Sequence, residues 1–325
     1  MVRLSIILPV LGDPREMEDS LVSVLENRPD DCEVIVVLNR RYEDPYDLKE
    51  EVRFVEAPQG SRFVDSINLG LAVSRAPLVH LLSCGVRVSE GWAEPALAHF
   101  RDLAVAAVIP LIVDAQDPRR VVAAGSRYQS WGRIARLARR FAAKRRMPAE
   151  VLVDPDCPVA FYRKGAVEKL GWFSDRAGQW LTGVDMNLAL RHVGLRSVLE
   201  PQCRLETTPS GLSLPGAYRR SWAAERLFWA WLPTPQRLTC CLLHGLLVAA
   251  EWACRLPRPA SMTGLAGRII AGLQMTLGNP RRQRPTTPSR SATSPPGIEA
   301  PHFRRVAPTV DGATTETGHP RSFRS

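Results

Sequence analysis

The 325-residue sequence has few of the features that mark secreted, metal-organised or membrane-spanning proteins. Its seven cysteines are scattered and odd in number, and none forms a Cys-x-x-Cys pair, so neither a disulfide framework nor a zinc site is predicted. The six histidines show no metal-ligand spacing. The uncharged run 238–250 is shorter than the roughly 20 residues that cross a bilayer. We therefore expect a cytoplasmic protein, at most peripheral at the inner face of the membrane.

The N-terminal part alternates short apolar runs with helical patterns. The predicted strands are 4–10, 33–38, 52–55 and 78–82, and the predicted helices lie around 17–25 and 63–73. Nearly continuous apolar strands separated by helices predict an α/β fold with a mainly parallel sheet that is flanked by helices. Ligands bind such sheets at the carboxyl ends of the strands. The loops after Leu8, Leu38 and Leu82 are therefore the predicted ligand site.

A single carboxylate, Asp185, stands out in the second half of the chain. It follows Gly183 and opens an amphipathic helical pattern, which predicts a carboxylate near a helix N-terminus. Such a residue acts either as an N-cap or as a general base, and both roles are open from this motif alone.

Several segments, in one order, resemble the inverting glycosyltransferases of family 2. They are 6–10, 34–39, 68–70, 81–92, 159–175 and 182–191. The resemblance covers roughly residues 2–210 and implies a GT-A-like, Rossmann-like fold. It also implies transfer of a sugar, with inversion, from a nucleotide diphosphate to a glycan or lipid-linked acceptor, as in polysaccharide biosynthesis. In this family a carboxylate at the position of Asp185 deprotonates the acceptor hydroxyl.

The resemblance also assigns the donor site and shows where this chain departs from the family. The implied donor-binding residues are Pro9, Val10, Asn39, Asn68, Ser83 and Gly85. The family usually has an aspartate where this chain has Leu38, and a glutamate where it has Val184. Its Asp-x-Asp motif, which holds magnesium or manganese, reads Ser83-Cys84-Gly85 here. Because glycine offers no side-chain oxygen, the divalent metal expected for the family lacks its main ligand, and no metal-binding residue is predicted.

Three functions follow from these observations. The first is an active transferase that neutralises the leaving diphosphate with cations near the ligand loops, for which the candidates are Arg40, Arg41, Arg62 and Arg87. The second is a catalytically inactive module that keeps the fold for binding or regulation. The third, nucleic-acid binding, is suggested by the net charge of +10, but no recognition motif accompanies that charge, so nucleic acid is not an expected partner.

The predicted organisation is a glycosyltransferase-like domain at 1–212, a helical extension at 213–278 and a disordered basic tail rich in Pro, Ser and Thr at 279–325. The run from Arg127 to Arg146 interleaves arginines with apolar residues, which predicts a helix that either lies on an anionic membrane or packs as a lid. The run 238–250, with tryptophans nearby, is predicted to sit in a membrane interface or to form a helical hairpin.

Overall fold

The computed structural model describes residues 2–10, 14–138, 153–155, 158–207, 216–233, 236–253 and 259–277. Its strands are β1 (Leu4–Val10), β2 (Cys32–Leu38), β3 (Val52–Glu56), β4 (Leu78–Leu81), β5 (Val86–Arg87), β6 (Val105–Asp114), β7 (Val121–Ala123), β8 (Ser126–Tyr128), β9 (Ile134–Arg136), β10 (Ala160–Arg163) and β11 (Arg196–Thr207). Its α-helices are α1 (Pro14–Glu26), α2 (Phe63–Val73), α3 (Glu94–His99), α4 (Lys164–Lys169), α5 (Thr182–His192), α6 (Ala217–Ala230), α7 (Arg237–Ala253) and α8 (Pro259–Leu277).

One nine-stranded sheet organises the described residues, in the order β3-β2-β1-β4-β10-β6-β11-β5, with β7 added beside β6. Strands β1 to β4 form a parallel half, and β6 and β11 form a second parallel pair. Strand β10 lies antiparallel between them. The predicted mainly parallel α/β sheet is therefore confirmed.

The apolar strands are explained by burial on both faces of the sheet. Every residue of β1 is buried. Successive side chains point to opposite faces, so Leu4, Ile6 and Leu8 join one core cluster while Ile7 joins the other. Helix α2 approaches β1 at Gly70, where an added Cβ would lie 2.4 Å from Ile7 Cγ2. A larger residue would push the helix off the sheet.

The predicted helix between Arg127 and Arg146 is wrong over its described part. Strands β8 and β9 pair antiparallel there and form a hairpin. Gly132 adopts a φ of +86° in the connecting turn, a conformation that suits glycine and interrupts a helix. The side chains of Tyr128 and Ile134 pack on the cluster around Val184 of α5, so tertiary packing favours the hairpin. Residues 139–146 lie outside the described residues.

The predicted helical extension consists of α6, α7 and α8. Helices α6 and α8 pack closely, because an added Cβ on Gly267 would lie 2.5 Å from the carbonyl oxygen of Tyr218. In the described part of the chain, no helix is both long and apolar enough to cross a membrane. The predicted boundary at 212 and the tail 279–325 lie outside the described residues, so the domain limits remain predictions.

A buried polar cluster joins the three helices of the extension. Glu225 of α6 accepts hydrogen bonds from Trp229 at 2.8 Å and from Arg268 of α8 at 3.1 Å, and its Oε2 lies 2.9 Å from His244 Nε2 on α7. The other ring nitrogen of His244 lies 3.0 Å from the carbonyl oxygen of Trp131 in the β8–β9 turn. Burial alone would raise the pKa of Glu225, but the hydrogen bond and positive charge of His244, together with the charge of Arg268, lower it. The cluster thus holds the extension together and ties it to the hairpin.

Candidate active site

The side chain of Asp185 lies at the centre of a buried charged group. It is only 4% exposed, and Arg176 holds it from the preceding loop. Arg176 Nε donates to both carboxylate oxygens at 2.9 Å, and Nη2 donates to Oδ1 at 2.6 Å. This forked geometry is the strong form of an arginine–carboxylate pair.

The N-cap role of Asp185 is wrong. Helix α5 begins at Thr182, its N-cap is Leu181, and no side chain caps it. Asp185 lies at the end of the first turn, and its own N–H already bonds to the carbonyl oxygen of Leu181 at 2.8 Å. Its carboxylate is therefore committed to tertiary contacts rather than to the helix end.

A second partner of Asp185 comes from the extension. Trp231, the residue that ends α6, donates its indole N–H to Asp185 Oδ1 at 2.7 Å. The guanidinium of Arg176 lies 5.2 Å from the centre of the Trp231 ring, within cation–π range. The carboxylate is thus enclosed by one arginine from its own domain and one tryptophan from the helical extension. We call Asp185, Arg176 and Trp231 the carboxylate clasp.

The sequence did not indicate Arg176 or Trp231. Arg176 is one of many arginines in a basic chain. Its contact with both oxygens of Asp185 depends on how the loop before α5 folds. Trp231 carried one usable signal, since a buried indole N–H normally needs an acceptor. The identity of that acceptor depends on where α6 ends in space.

The predicted donor-binding residues at strand ends do come together. Val10 pairs with Leu38 at the ends of β1 and β2, and β4 lies on the other side of β1. Beyond β4, Cys84 Sγ lies 3.7 Å from the carbonyl oxygen of Pro9, and Ser83 Oγ donates to the carbonyl oxygen of Pro158 at 3.3 Å. Asn39 follows β2 directly and is half-buried. Pro9, Val10, Asn39, Ser83 and Gly85 therefore lie at one edge of the sheet, as the parallel topology requires.

The backbone conformation at position 85 favours glycine, and backbone hydrogen bonds hold the turn in place. The φ of Gly85, +81°, lies in the left-handed region, which favours glycine over aspartate. Its N–H donates to Ser20 Oγ at 2.9 Å and to the carbonyl oxygen of Glu16 at 3.1 Å, while its own carbonyl accepts from the Thr207 hydroxyl at 2.9 Å. The turn is thus built around a residue without a side chain. That this is the position of the family's metal-binding carboxylate remains a prediction.

The donor set here does not fit a divalent cation. Gly85 supplies no side-chain oxygen, and the Ser83 hydroxyl is donated to Pro158. Burial raises the pKa of the Cys84 thiol to about 12, so it is a neutral, poor ligand. Within the ranges that the structure covers, no group of three or more His, Cys, Asp or Glu side chains is arranged to hold a metal.

Asn68 lies on α2 and connects to the loop that carries Arg176. Its amide donates to the carbonyl oxygen of Phe173 at 2.9 Å and accepts from the Phe173 N–H at 3.0 Å. Both ends of the amide are therefore used in positioning that loop, and a contact of Asn68 with the donor remains a prediction.

The candidate cations differ in their surroundings. Arg62 at the start of α2 forms ion pairs with Asp65 and Asp175. Arg40 and Arg41 are exposed directly after β2, and neither has an ion-pair partner among the described residues. Arg87 is an exposed residue of β5.

Asp154 and Asp114 are two further buried carboxylates of the described residues. Asp154 is buried and accepts from Arg191 at 2.7 Å and from the Tyr128 N–H at 2.9 Å. Burial raises the pKa of Asp154, and the charge of Arg191 partly opposes this effect. Asp114 is buried beside Arg120 and accepts from the Gln116 N–H. Both carboxylates are occupied by structural contacts.

Comparison with known proteins now decides the family. Residues 5–171, more than half of the chain, match the family Glycosyl transferase family 2. The chain belongs to glycosyl transferase family 2. The match ends before Asp185, so the role of Asp185 as the base remains a prediction. A search of curated proteins finds no match to this chain.

Solved structures show the same fold at low sequence identity. The structure of GalNAc-T7 with UDP, GalNAc and Mn²⁺ has a TM-score of 0.52 and 12% identity, covering 77% of this chain and 54% of the other. The mannosyltransferase PcManGT from Pyrobaculum calidifontis, in complex with GDP-Man and Mn²⁺, has a TM-score of 0.51 and 16% identity, covering 86% and 82%. The structure of residues 1–349 of S. aureus TarS has a TM-score of 0.54 and 11% identity, covering 83% of this chain and 81% of that fragment. This chain thus spans about half of GalNAc-T7 and most of the other two, and the likeness confirms the GT-A fold.

Proposed function

We propose that this family 2 protein transfers a sugar, with inversion, from a nucleotide diphosphate to a hydroxyl of a glycan or lipid-linked acceptor. The observation that carries the proposal is the carboxylate clasp. A buried carboxylate, at the position that the resemblance assigns to the base, is held by two tertiary contacts instead of capping its own helix. The free cysteines of the described residues agree with a cytoplasmic location.

In the proposed reaction Asp185 accepts the proton of the acceptor hydroxyl. The hydroxyl oxygen then forms a bond to the anomeric carbon from the face opposite the leaving group. The bond from that carbon to the diphosphate oxygen breaks, and the nucleoside diphosphate leaves with the bonding electrons. General-base assistance of this kind contributes about 10²- to 10⁴-fold in rate.

The clasp must open for this reaction to occur. Oδ1 accepts from Trp231 and from two nitrogens of Arg176, whereas Oδ2 accepts from Arg176 Nε. An acceptor hydroxyl that replaces the Trp231 N–H would keep the carboxylate hydrogen-bonded while it gains access. Arg176 would remain in place and keep the carboxylate oriented during the proton transfer. We therefore assign Trp231 to the acceptor side of the site.

In the family a divalent ion stabilises the negative charge of the leaving diphosphate. In this protein another positively charged group must take that role. Arg40 and Arg41 follow Asn39 at the donor edge and are free of ion pairs among the described residues. Arginine recognises phosphate through two parallel N–H donors, so these two side chains are suited to hold the diphosphate. No step of the proposed reaction passes through a metal.

The alternative is a catalytically inactive binding module. Two features support it: a glycine, Gly85, stands at the predicted position of the metal ligand, and Asp185 is enclosed in the clasp. Such a module would still bind a nucleotide diphosphate at the same edge of the sheet, but it would not turn it over.

One experiment separates these possibilities. A panel of UDP- and GDP-sugars is titrated into the protein by calorimetry, with EDTA or with manganese, and release of nucleoside diphosphate is then measured with candidate acceptors. An active transferase binds at least one donor and releases the diphosphate only when an acceptor is present. A binding module binds without release, and the absence of binding by every donor would contradict both functions. The double variant Arg40→Gln/Arg41→Gln should weaken donor binding about tenfold or more, whereas Arg53→Gln, a matched arginine on the edge strand β3, should not.

A further inference from the structure

The outer surface of the helical extension is unusually apolar. Most of the large hydrophobic side chains that are exposed in the described part of the chain lie on α7 and α8. They are Leu238, Leu242, Leu243 and Leu246 on α7, and Met262, Ile269, Ile270 and Leu273 on α8. On α7 the spacing of Leu238, Leu242 and Leu246 is four residues, so the three side chains form one stripe. Clustered exposure of this kind marks an interaction surface.

This surface, which we call the α7–α8 apolar surface, carries almost no charge. Apart from His244, which is buried against Glu225, the charged residues of the two helices are Arg237, Glu251 and Arg268. Arg268 is 9% exposed and its Nη2 donates to Glu251 at 2.8 Å, so these two charges neutralise each other. Arg237, at the start of α7, is the remaining charge.

The inner side of the same helices is fixed to the protein. His244 on α7 stacks on Phe228 of α6 with ring centres 3.8 Å apart, and Arg268 on α8 pairs with Glu225 of α6. The polar cluster therefore orients α7, so that Leu238, Leu242 and Leu246, which are 67% to 82% exposed, point away from the domain. A helix held along its length in this way lies on a surface rather than crosses it.

The charge around these helices identifies the occupant. Between 252 and 298 the sequence contains arginines but no aspartate or glutamate, and several of these arginines stand next to the helix ends: Arg255, Arg258, Arg281, Arg282 and Arg284. An apolar helix face with flanking arginines suits a bilayer whose headgroups are anionic. A second copy of this chain carries the same net charge of +10, so two copies repel each other.

We infer that the α7–α8 apolar surface docks the protein on an anionic lipid bilayer, with the leucine stripe of α7 in the headgroup and acyl boundary. The surface is distinct from the Arg127–Arg146 run, whose described part is a hairpin. Docking does not depend on the proposed sugar transfer, and its test does not use turnover.

The test is co-sedimentation of the full chain with vesicles. Vesicles of pure phosphatidylcholine are compared with vesicles in which about a third of the lipid is phosphatidylglycerol, at low and high salt. The triple variant Leu238→Gln/Leu242→Gln/Leu246→Gln removes the stripe but keeps good helix formers. We expect the wild type to bind anionic vesicles, salt to weaken this binding, and the variant to bind about tenfold or more weakly, because three apolar side chains no longer enter the bilayer.

The matched control is the triple variant Val22→Gln/Leu103→Gln/Val193→Gln. It replaces three hydrophobic side chains that are 50% to 79% exposed and belong to none of the helices of the extension. This control should bind vesicles as the wild type does, and thermal melting should show that both variants remain folded. Equal binding by the wild type and the stripe variant would overturn the inference. So would failure to sediment together with a concentration-dependent dimer that the stripe variant abolishes, because the surface would then be covered by a second copy.

Discussion

Replacing Asp185 by asparagine tests two roles at once. The loss of its ion pair with Arg176 should lower the free energy of unfolding, and the loss of a general base should lower the rate. The asparagine keeps the shape and one acceptor oxygen but removes the charge that Arg176 faces. Arg176 is only 14% exposed, so its guanidinium would lose its counterion in a largely buried site. Removing one partner of a fully buried pair costs about 3–5 kcal/mol. Since Arg176 keeps the face of Trp231 and the amide oxygen, we expect about 2–3 kcal/mol here.

This loss is larger than the approximately 1 kcal/mol expected for an N-cap, so stability itself tests the geometry. For a domain of this size, Asp185→Asn should lower the melting temperature by about 5–10 °C. Urea unfolding at a constant m-value should give the free-energy change, and turnover should be measured well below the melting range. In an active transferase, the rate should fall by about 10²-fold or more while donor binding is retained.

Asp175→Asn is the matched control. Asp175 is 42% exposed and pairs with Arg62, which is 63% exposed, so its loss should cost less than about 1 kcal/mol. The reasoning is refuted if Asp185→Asn leaves both stability and turnover unchanged. If Asp175→Asn abolishes turnover instead, Asp175 is the base.

Three further predictions follow from individual contacts. Because Gly85 lacks a side-chain oxygen, nucleotide diphosphate binding in calorimetry should be the same in EDTA and in manganese; a tenfold tightening by manganese would show that another carboxylate, such as Asp65 or Asp114, reaches the ion. Trp231→Phe keeps the ring over Arg176 but removes the N–H, so stability in urea should fall by about 1–2 kcal/mol while turnover is retained; a loss as large as that of Asp185→Asn would mean that Trp231 does not move aside for the acceptor. Burial lowers the pKa of His80 to about 3, whereas the unfolded chain takes up this proton near pH 6.5. The free energy of unfolding is therefore unaffected by this group above about pH 6.5. It decreases as the pH falls, by about 2 kcal/mol between pH 7 and pH 5. His80→Phe should remove that part of the pH dependence in urea unfolding, and an unchanged pH profile would contradict the assignment.

Several elements were predictable from local pattern alone. The apolar runs that became β1 to β4 were recognisable because both faces of a parallel sheet are buried, and the helix at 63–73 was predicted at the bounds that the structure gives to α2. The hairpin at 126–136 was not predictable, since the spacing of its apolar residues also suits a helix. There the left-handed turn at Gly132 and the packing of Tyr128 and Ile134 decided between the two.

The sequence by itself determined the α/β class, the family and which strand ends share one edge of the sheet, because these depend on runs and motifs that are local in the chain. It also determined the absence of a carboxylate at Gly85, which no folding can restore. Only the tertiary structure decided what surrounds Asp185. Arg176 lies in a preceding loop and Trp231 comes from 46 positions further along the chain. Their meeting depends on how the polar cluster of Glu225, His244 and Arg268 seats the extension against the hairpin. Those buried contacts also decided which sides of α7 and α8 face outward. The sequence could not, since an apolar helix has no polar face that shows which side meets water.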